Sequence, residues 1–391
     1  MEFFRNTHKT LIESNHLTVR RNFLNKSDEN DRLICIKGFR GVGKTTFLLD
    51  YIKENFSNDK STLYINLNNF YFTKRTIVSF ADEFVKRGGR TLFLDQIQKY
   101  PNWSEELKQC YDQLSGLKII FTSSPLLQIE EQDPALKDIV KIYHLEGLSF
   151  REYLNYKTNQ NFESFTFEEI INDHVRIAKK IVNEVRPLAY FNDYLGFGFF
   201  PYFIDNPNYY TNRLLKHINL ALEIDVPYLN QIELKYLSKL RKLLHIIASE
   251  TPLSPNVSKL ANAVETSRAT VMNYLRYLKN ARLIQLLYCN GDEDEMKKPD
   301  KIYMHNTNLL YAIAPNNANK LNLQHTFFYN QVSYKLPVNS SQEADFLIDN
   351  KYNFLVNGYN TESGKNIYAA ADMIEIGSRN KIPLWLFGFL Y

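Results

Sequence analysis

The sequence predicts an α/β fold: a parallel sheet at the front, a helical region behind it, a basic three-helix segment, and a second, smaller α/β piece at the end. Three observations carry this. Short apolar runs beginning near Leu33, Thr62, Thr91 and Leu117 alternate with helical stretches, the pattern of buried strands covered on both faces by helices. A glycine loop joins the first run to its helix. From Glu233 to Cys289 the periodicity changes to three helices and the start of a hairpin. With 391 residues, the chain has length for two to four domains.

Composition excludes several classes. The chain is 44% hydrophobic and 23% charged, which rules out disorder, collagen and coiled coil. Lys and Arg exceed Asp and Glu by only four, 47 against 43, so a nucleic-acid surface has to be a local patch. The three cysteines, Cys35, Cys110 and Cys289, lie far apart and form no Cys-x-x-Cys pair, arguing against a disulfide scaffold or a compact zinc site. No signal-like or membrane-spanning apolar stretch is visible. These features predict a cytoplasmic protein with no membrane contact.

The glycine loop is the sharpest motif. Gly38-Phe39-Arg40-Gly41-Val42-Gly43-Lys44-Thr45 satisfies G-x-x-x-x-G-K-[ST] and sits where a strand runs into a helix, the context that a phosphate-binding P-loop requires. Glycines let the backbone N–H groups curl round an anion, and the helix adds its positive end. Gly38, Arg40, Gly41, Val42, Gly43, Lys44, Thr45 and Thr46 are therefore the expected nucleotide-binding residues. Lys44 is expected at the β and γ phosphates of ATP, and Thr45 at Mg²⁺.

Leu92-Phe93-Leu94-Asp95 supplies the second element. A carboxylate ending a buried strand holds the metal's water shell, which makes Asp95 the metal partner of Thr45. Gln96 follows, where hydrolytic relatives of this design place a glutamate that activates water. An amide cannot take that proton, so ATP binding is better supported than turnover. Thr122, Ser123 and Ser124 end the next strand and are either γ-phosphate contacts, Ser123 among them, or ordinary loop hydroxyls.

Residues 149–230 read as helical and aromatic, with an insert from Tyr194 to Pro201. Between Glu233 and Cys289, nine basic side chains face three acidic ones, a net +6. A short helix, a tight turn and a third helix capped at Thr266-Ser267 make helix-turn-helix grammar. Val271, Leu275 and Leu278 form the expected core stripe of that third helix.

Together with LFLDQIQKYPNWSEELK (Leu92 to Lys108), LEGLSFREYL (Leu145 to Leu154), NTNLLYAI (Asn306 to Ile313) and IPLWLFGFLY (Ile382 to Tyr391), the GFRGVGKTT loop gives the chain a resemblance to a family. It resembles bacterial and archaeal AAA+-like ATPases of the STAND-related kind, which carry a winged helix and a C-terminal restriction-endonuclease-like domain of unknown function. The resemblance implies a P-loop ATPase core over residues 1–148, a helical lid over 149–230, a winged helix over 231–300 and the nuclease-like domain over 301–391. Family members usually read Asp-Glu at Asp95-Gln96 and Gly-Ser-Ser at Ser123-Ser124-Pro125.

In similar proteins the last domain carries a PD-(D/E)xK-like set of carboxylates and a lysine on Mg²⁺. Glu343-Ala344-Asp345 resembles the strand with the first acid, but Leu355 and Tyr359 stand where an acid and the lysine belong, and His325 stands at a frequent glutamate. The expectation is a degenerate fold without nuclease chemistry, with His305 and His325 as the only replacement ligands in view. Three readings follow from the whole: an ATP-binding switch with weak or absent hydrolysis; a DNA-binding protein acting through Arg268, Asn273, Arg276 and Lys279; or a residual metal nuclease. Arg40 and Arg213 are further candidates for nucleotide contact, and a protein partner or a homo-oligomer is an expected route for output.

Overall fold

The computed structural model describes residues 1–15, 19, 21, 31–56, 59–127, 134–227, 233–289, 297–357 and 367–391. The chain divides into two compact units, Met1–Gly147 and Leu148–Tyr391.

The first unit opens with helix α1 (Glu2–Ser14) and then alternates β1 (Leu33–Lys37), α2 (Lys44–Phe56), β2 (Thr62–Asn66), α3 (Ile77–Lys86), β3 (Thr91–Asp95), α4 (Trp103–Gln113), β4 (Lys118–Ser123) and β5 (Val140–His144). All five strands are parallel, in the order β2-β3-β4-β1-β5. The four runs read from the sequence are β1 to β4, displaced by a residue at most. Every residue of β3 is buried, which explains why its sequence is a continuous apolar run rather than an alternating one. Because β1 lies between β4 and β5, the chain leaves the sheet at a crossover, and β1 and β3 deliver their carboxyl ends to the same edge with only β4 between them. Open α/β sheets collect ligands at such edges.

The second unit begins with two helices, α5 (Phe150–Thr158) and α6 (Phe167–Val182), each started by a capping box, Ser149 with Glu152 and Thr166 with Glu169. The aromatic insert follows as α7 (Leu188–Phe197) and α8 (Tyr210–Leu220). Helices α9 (Leu237–Glu250), α10 (Val257–Ala263) and α11 (Arg268–Asn280) come next, then β6 (Ile284–Leu287) and β7 (Lys301–Met304). Ser267 caps α11 by accepting from the Thr270 amide, and Val271, Leu275 and Leu278 are fully buried, as the spacing predicts.

Lys301–Met304, expected to open the last domain, pairs antiparallel with β6, Ile284 opposite Met304 and Leu287 opposite Lys301. Leu253, just before α10, also exchanges both backbone bonds with Ile302 at 2.8 Å. Ile302, Tyr303 and Met304 are all buried, as suits a strand with partners on both sides, and one of those partners, Leu253, lies nearly fifty residues away in sequence.

Helices α12 (Thr307–Ile313) and α13 (Lys320–Ser333) precede the final sheet of β8 (Val338–Asn339), β9 (Phe346–Ile348), β10 (Tyr352–Val356), β11 (Ile367–Ala371) and β12 (Lys381–Pro383), in the order β12-β11-β10-β9-β8. The β8-β9-β10 part is antiparallel and the β10-β11-β12 part parallel. Asn308 on α12 ties the aromatic insert to this half of the unit. Its amide donates to the carbonyls of Tyr194 and Leu195, and its oxygen accepts from the Phe199 amide at 2.8 Å. No helix among the described residues is long and apolar enough to cross a membrane.

Candidate functional site

The loop from Gly38 to Gly43 joins β1 to α2. Gly41 and Gly43 adopt φ of 84° and 98°, which L side chains rarely take, and Phe39 and Val42 are buried beneath the loop as anchors. Gly38 is required for a different reason: a Cβ there would lie 2.4 Å from the Leu145 carbonyl oxygen. Gly38→Ala is therefore expected to cost about 1–3 kcal/mol, the usual range for overpacking. Chemical denaturation of the two proteins checks this, and an unchanged midpoint would mean that the loop approaches β5's end less closely than described.

Lys44 opens α2. Its Nζ donates to the carbonyls of Gly38 and Phe39, at 2.5 and 2.9 Å, so the ammonium stays over the loop's concave side. Thr45 and Thr46 are exposed on the first turn, while Arg40 is half-buried within the loop.

Asp95 is 1% exposed, and a buried carboxylate needs donors. It has three hydroxyls. Thr45 donates to Oδ2 at 2.7 Å, Tyr64 donates to Oδ2 at 2.9 Å, and Thr122 donates to Oδ1. The sequence-predicted pair of Thr45 and Asp95 is thus brought into direct contact by α2 and β3. Thr122 Oγ1 also accepts from the Gln96 amide at 2.9 Å, which fixes Gln96 in a left-handed conformation, φ 63° and ψ 50°. Burial, with the Asp95 carboxylate beside it, pushes the Tyr64 phenol up, so it stays a donor.

Ser123 does not join this group. It is fully buried, with Oγ 3.4 Å from Cys35 Sγ on β1 and donating to the Ser124 carbonyl. Successive residues of a strand face opposite sides, so when Thr122 reaches Asp95 its neighbour must point away. Burial pushes the Cys35 thiol up to about 12, which leaves it protonated and inert. Arg213 lies in the second unit, paired with Asp205 at 2.8 Å. Tyr64 is the residue that the sequence reading missed. Its only signal was a hydroxyl within an apolar run, and its meaning depends on β2 lying beside β3.

The donor set suits a magnesium nucleotide: backbone amides opened by two glycines, an ammonium, a helical hydroxyl and a buried carboxylate in contact with that hydroxyl. Residues 30–154 match the family model of the AAA domain. A second family model, a domain of unknown function (DUF8612), matches residues 188–320. The uncharacterized protein MJ1637 of Methanocaldococcus jannaschii is 27% identical over 297 residues. That alignment takes in 71% of this chain, and the chain spans only 62% of the relative's length. Among solved structures, AMPPCP-bound DnaA from Aquifex aeolicus is 15% identical, with 71% of this chain and 88% of that one covered and a TM-score of 0.27. The Aeropyrum pernix ORC1 protein in complex with DNA is 11% identical, covering 85% and 94%, with a TM-score of 0.31. In the region that matches the AAA model, the α/β core, the loop and Asp95 lie together in an arrangement suited to a nucleotide, with an amide rather than a carboxylate after Asp95.

The second unit holds the other predicted site. Asp345 precedes β9 and accepts from the Val356 amide at 2.9 Å, and His325 Nε2 on α13 lies 3.3 Å from the same Oδ2. Burial by itself would raise this carboxyl, but the His325 ring, the Val356 amide and Lys301 outweigh it and hold the group below the usual carboxylate value. Leu355 is half-buried on β10, Glu343 is exposed, and His305 is buried beneath the ring edge of Phe199. Tyr359 lies outside the described residues. Among the described residues no three His, Cys, Asp or Glu side chains gather as a metal site.

Proposed function

We propose that the chain is an ATP-binding, switch-type AAA+-like protein that holds Mg²⁺·ATP between the 38–45 loop and Asp95 and hydrolyses it weakly or not at all. The contact of Thr45 with Asp95 at 2.7 Å carries this reading, since it joins the helical hydroxyl and the strand carboxylate that a metal nucleotide uses together. Lys44 would hold the outer phosphates, the loop amides the inner ones, and Thr45 with Asp95 the metal side. The ion, when bound, supplies neutralising charge to the phosphates. Gln96 contributes hydrogen bonding but no base, which limits the AAA domain to binding and release. Calorimetric titration of the full chain with ATP tests the reading: affinity should be higher with Mg²⁺ than in EDTA, and no binding under either condition would sink it.

For the second unit, the reading is a helical lid, a winged helix and a nuclease-like domain without nuclease chemistry. The winged helix is supported by the order helix α9, bridging residue Leu253, α10, α11, β6 and β7. Loss of nuclease chemistry is supported by His325 and Val356 occupying Asp345 and by a hydrocarbon at Leu355. Plasmid DNA or RNA incubated with the protein and Mg²⁺ or Mn²⁺ should stay intact. Cleavage that disappears in Asp345→Ala would restore the metal-nuclease reading.

A further inference from the structure

We propose that the outward face of α11, with the pocket at its N-terminal end, is a docking surface for duplex DNA. This rests on the winged-helix reading of residues 237–304 but not on the nucleotide site. Helix α11 buries Val271, Tyr274, Leu275 and Leu278. On the opposite side Arg268, Ala269 and Asn273 are exposed and Met272 and Arg276 half-buried, and their spacings of three and four put them on one helical face. At its start, Arg268, Ala269 and Met272 meet Asn256, the N-cap of α10, Val257 from its first turn and Lys298 from just before β7 around a pocket of about 470 Å³.

Charge separates this face from the rest of the segment. Lys235 pairs with Glu233 at 2.6 Å, Lys242 with Glu265 at 3.9 Å, and Arg241 with Glu223, so much of the positive charge on the α9 side is already neutralised. The pocket is flanked by Arg268 and Lys298 with no acidic side chain in its lining, and neither cation has an acidic partner among the described residues. Two cations across a groove, with short Ala269 and amide-bearing Asn273 between Arg268 and Arg276, fit a phosphate backbone on either side of a base edge.

The partner is DNA rather than RNA because a B-form major groove admits a helix, whereas the A-form major groove is too deep and narrow. The contact proposed is confined to α11 and Lys298. Three phosphate contacts, from Arg268, Arg276 and Lys298, give a slope of log affinity against log salt of about −3.

Fluorescence anisotropy of the full chain with a short labelled mixed-sequence duplex at low salt tests this. Wild type should bind with that slope, and binding should be weaker for the single strand and for duplex RNA of the same length. Arg268→Glu with Lys298→Glu should weaken binding by about tenfold or more and flatten the slope by about 2. Thermal unfolding and ATP affinity should not change. Lys179→Glu with Lys180→Glu, both exposed on α6, changes the charge by the same amount outside the pocket's lining and should bind as wild type does. The proposal is overturned if wild type shows no binding, if the Arg268/Lys298 variant binds as tightly, if the Lys179/Lys180 variant loses as much, or if RNA binds equally well. A wild type that binds DNA but not ATP would count against the nucleotide reading alone and support this one.

Discussion

ATP affinity of the full chain is expected to fall on the order of tenfold to a hundredfold in Lys44→Ala, because a hydrogen bond to a charged group contributes about 1.5–3 kcal/mol. The ammonium rests on the Gly38 and Phe39 carbonyls, a position from which it reaches the loop's concavity without unfolding anything. Its removal leaves the backbone amides in place, so residual weak binding should survive. A Lys44→Ala protein that unfolds at the wild-type temperature yet binds ATP equally well would refute the role given to this lysine.

The second large effect concerns turnover. Phosphate release from the unmodified chain should be very slow, and Gln96→Glu should raise it by about 10² to 10⁴, the contribution typical of a general base. The substitution is nearly isosteric. What fixes Gln96 is its backbone, whose amide donates to Thr122 and whose φ is positive, and both features are independent of the side chain's end group. A glutamate would therefore inherit the position next to Asp95. Rapid phosphate release by the unmodified chain that disappears in Lys44→Ala would show that some other residue supplies the base. No gain in Gln96→Glu would mean that further parts of the hydrolytic machinery are missing.

The glycine loop, its lysine and threonine, the strand that ends in Asp95, the amide at Gln96 and the apolar stripe of α11 were all legible in the order of residues alone. Each is a contiguous run or a helical period, and its meaning is set by local geometry: glycines for positive φ, spacing of three and four for one helical face. Which hydroxyls reach Asp95 depends on how the strands are ordered and registered. Thr122 and Ser123 are neighbours with equivalent chemistry, and a strand's alternation sends one to the site and the other to Cys35, a choice that a one-residue change of register would reverse. Tyr64 enters the site because β2 lies beside β3, and Lys301–Met304 joins β6 because a strand is completed by partners distant in sequence. The pocket shared by Asn256, Arg268 and Lys298 likewise belongs to no single run of residues. Strand order and register are settled by which apolar faces can be buried together, a condition on the whole core that no local stretch of sequence contains.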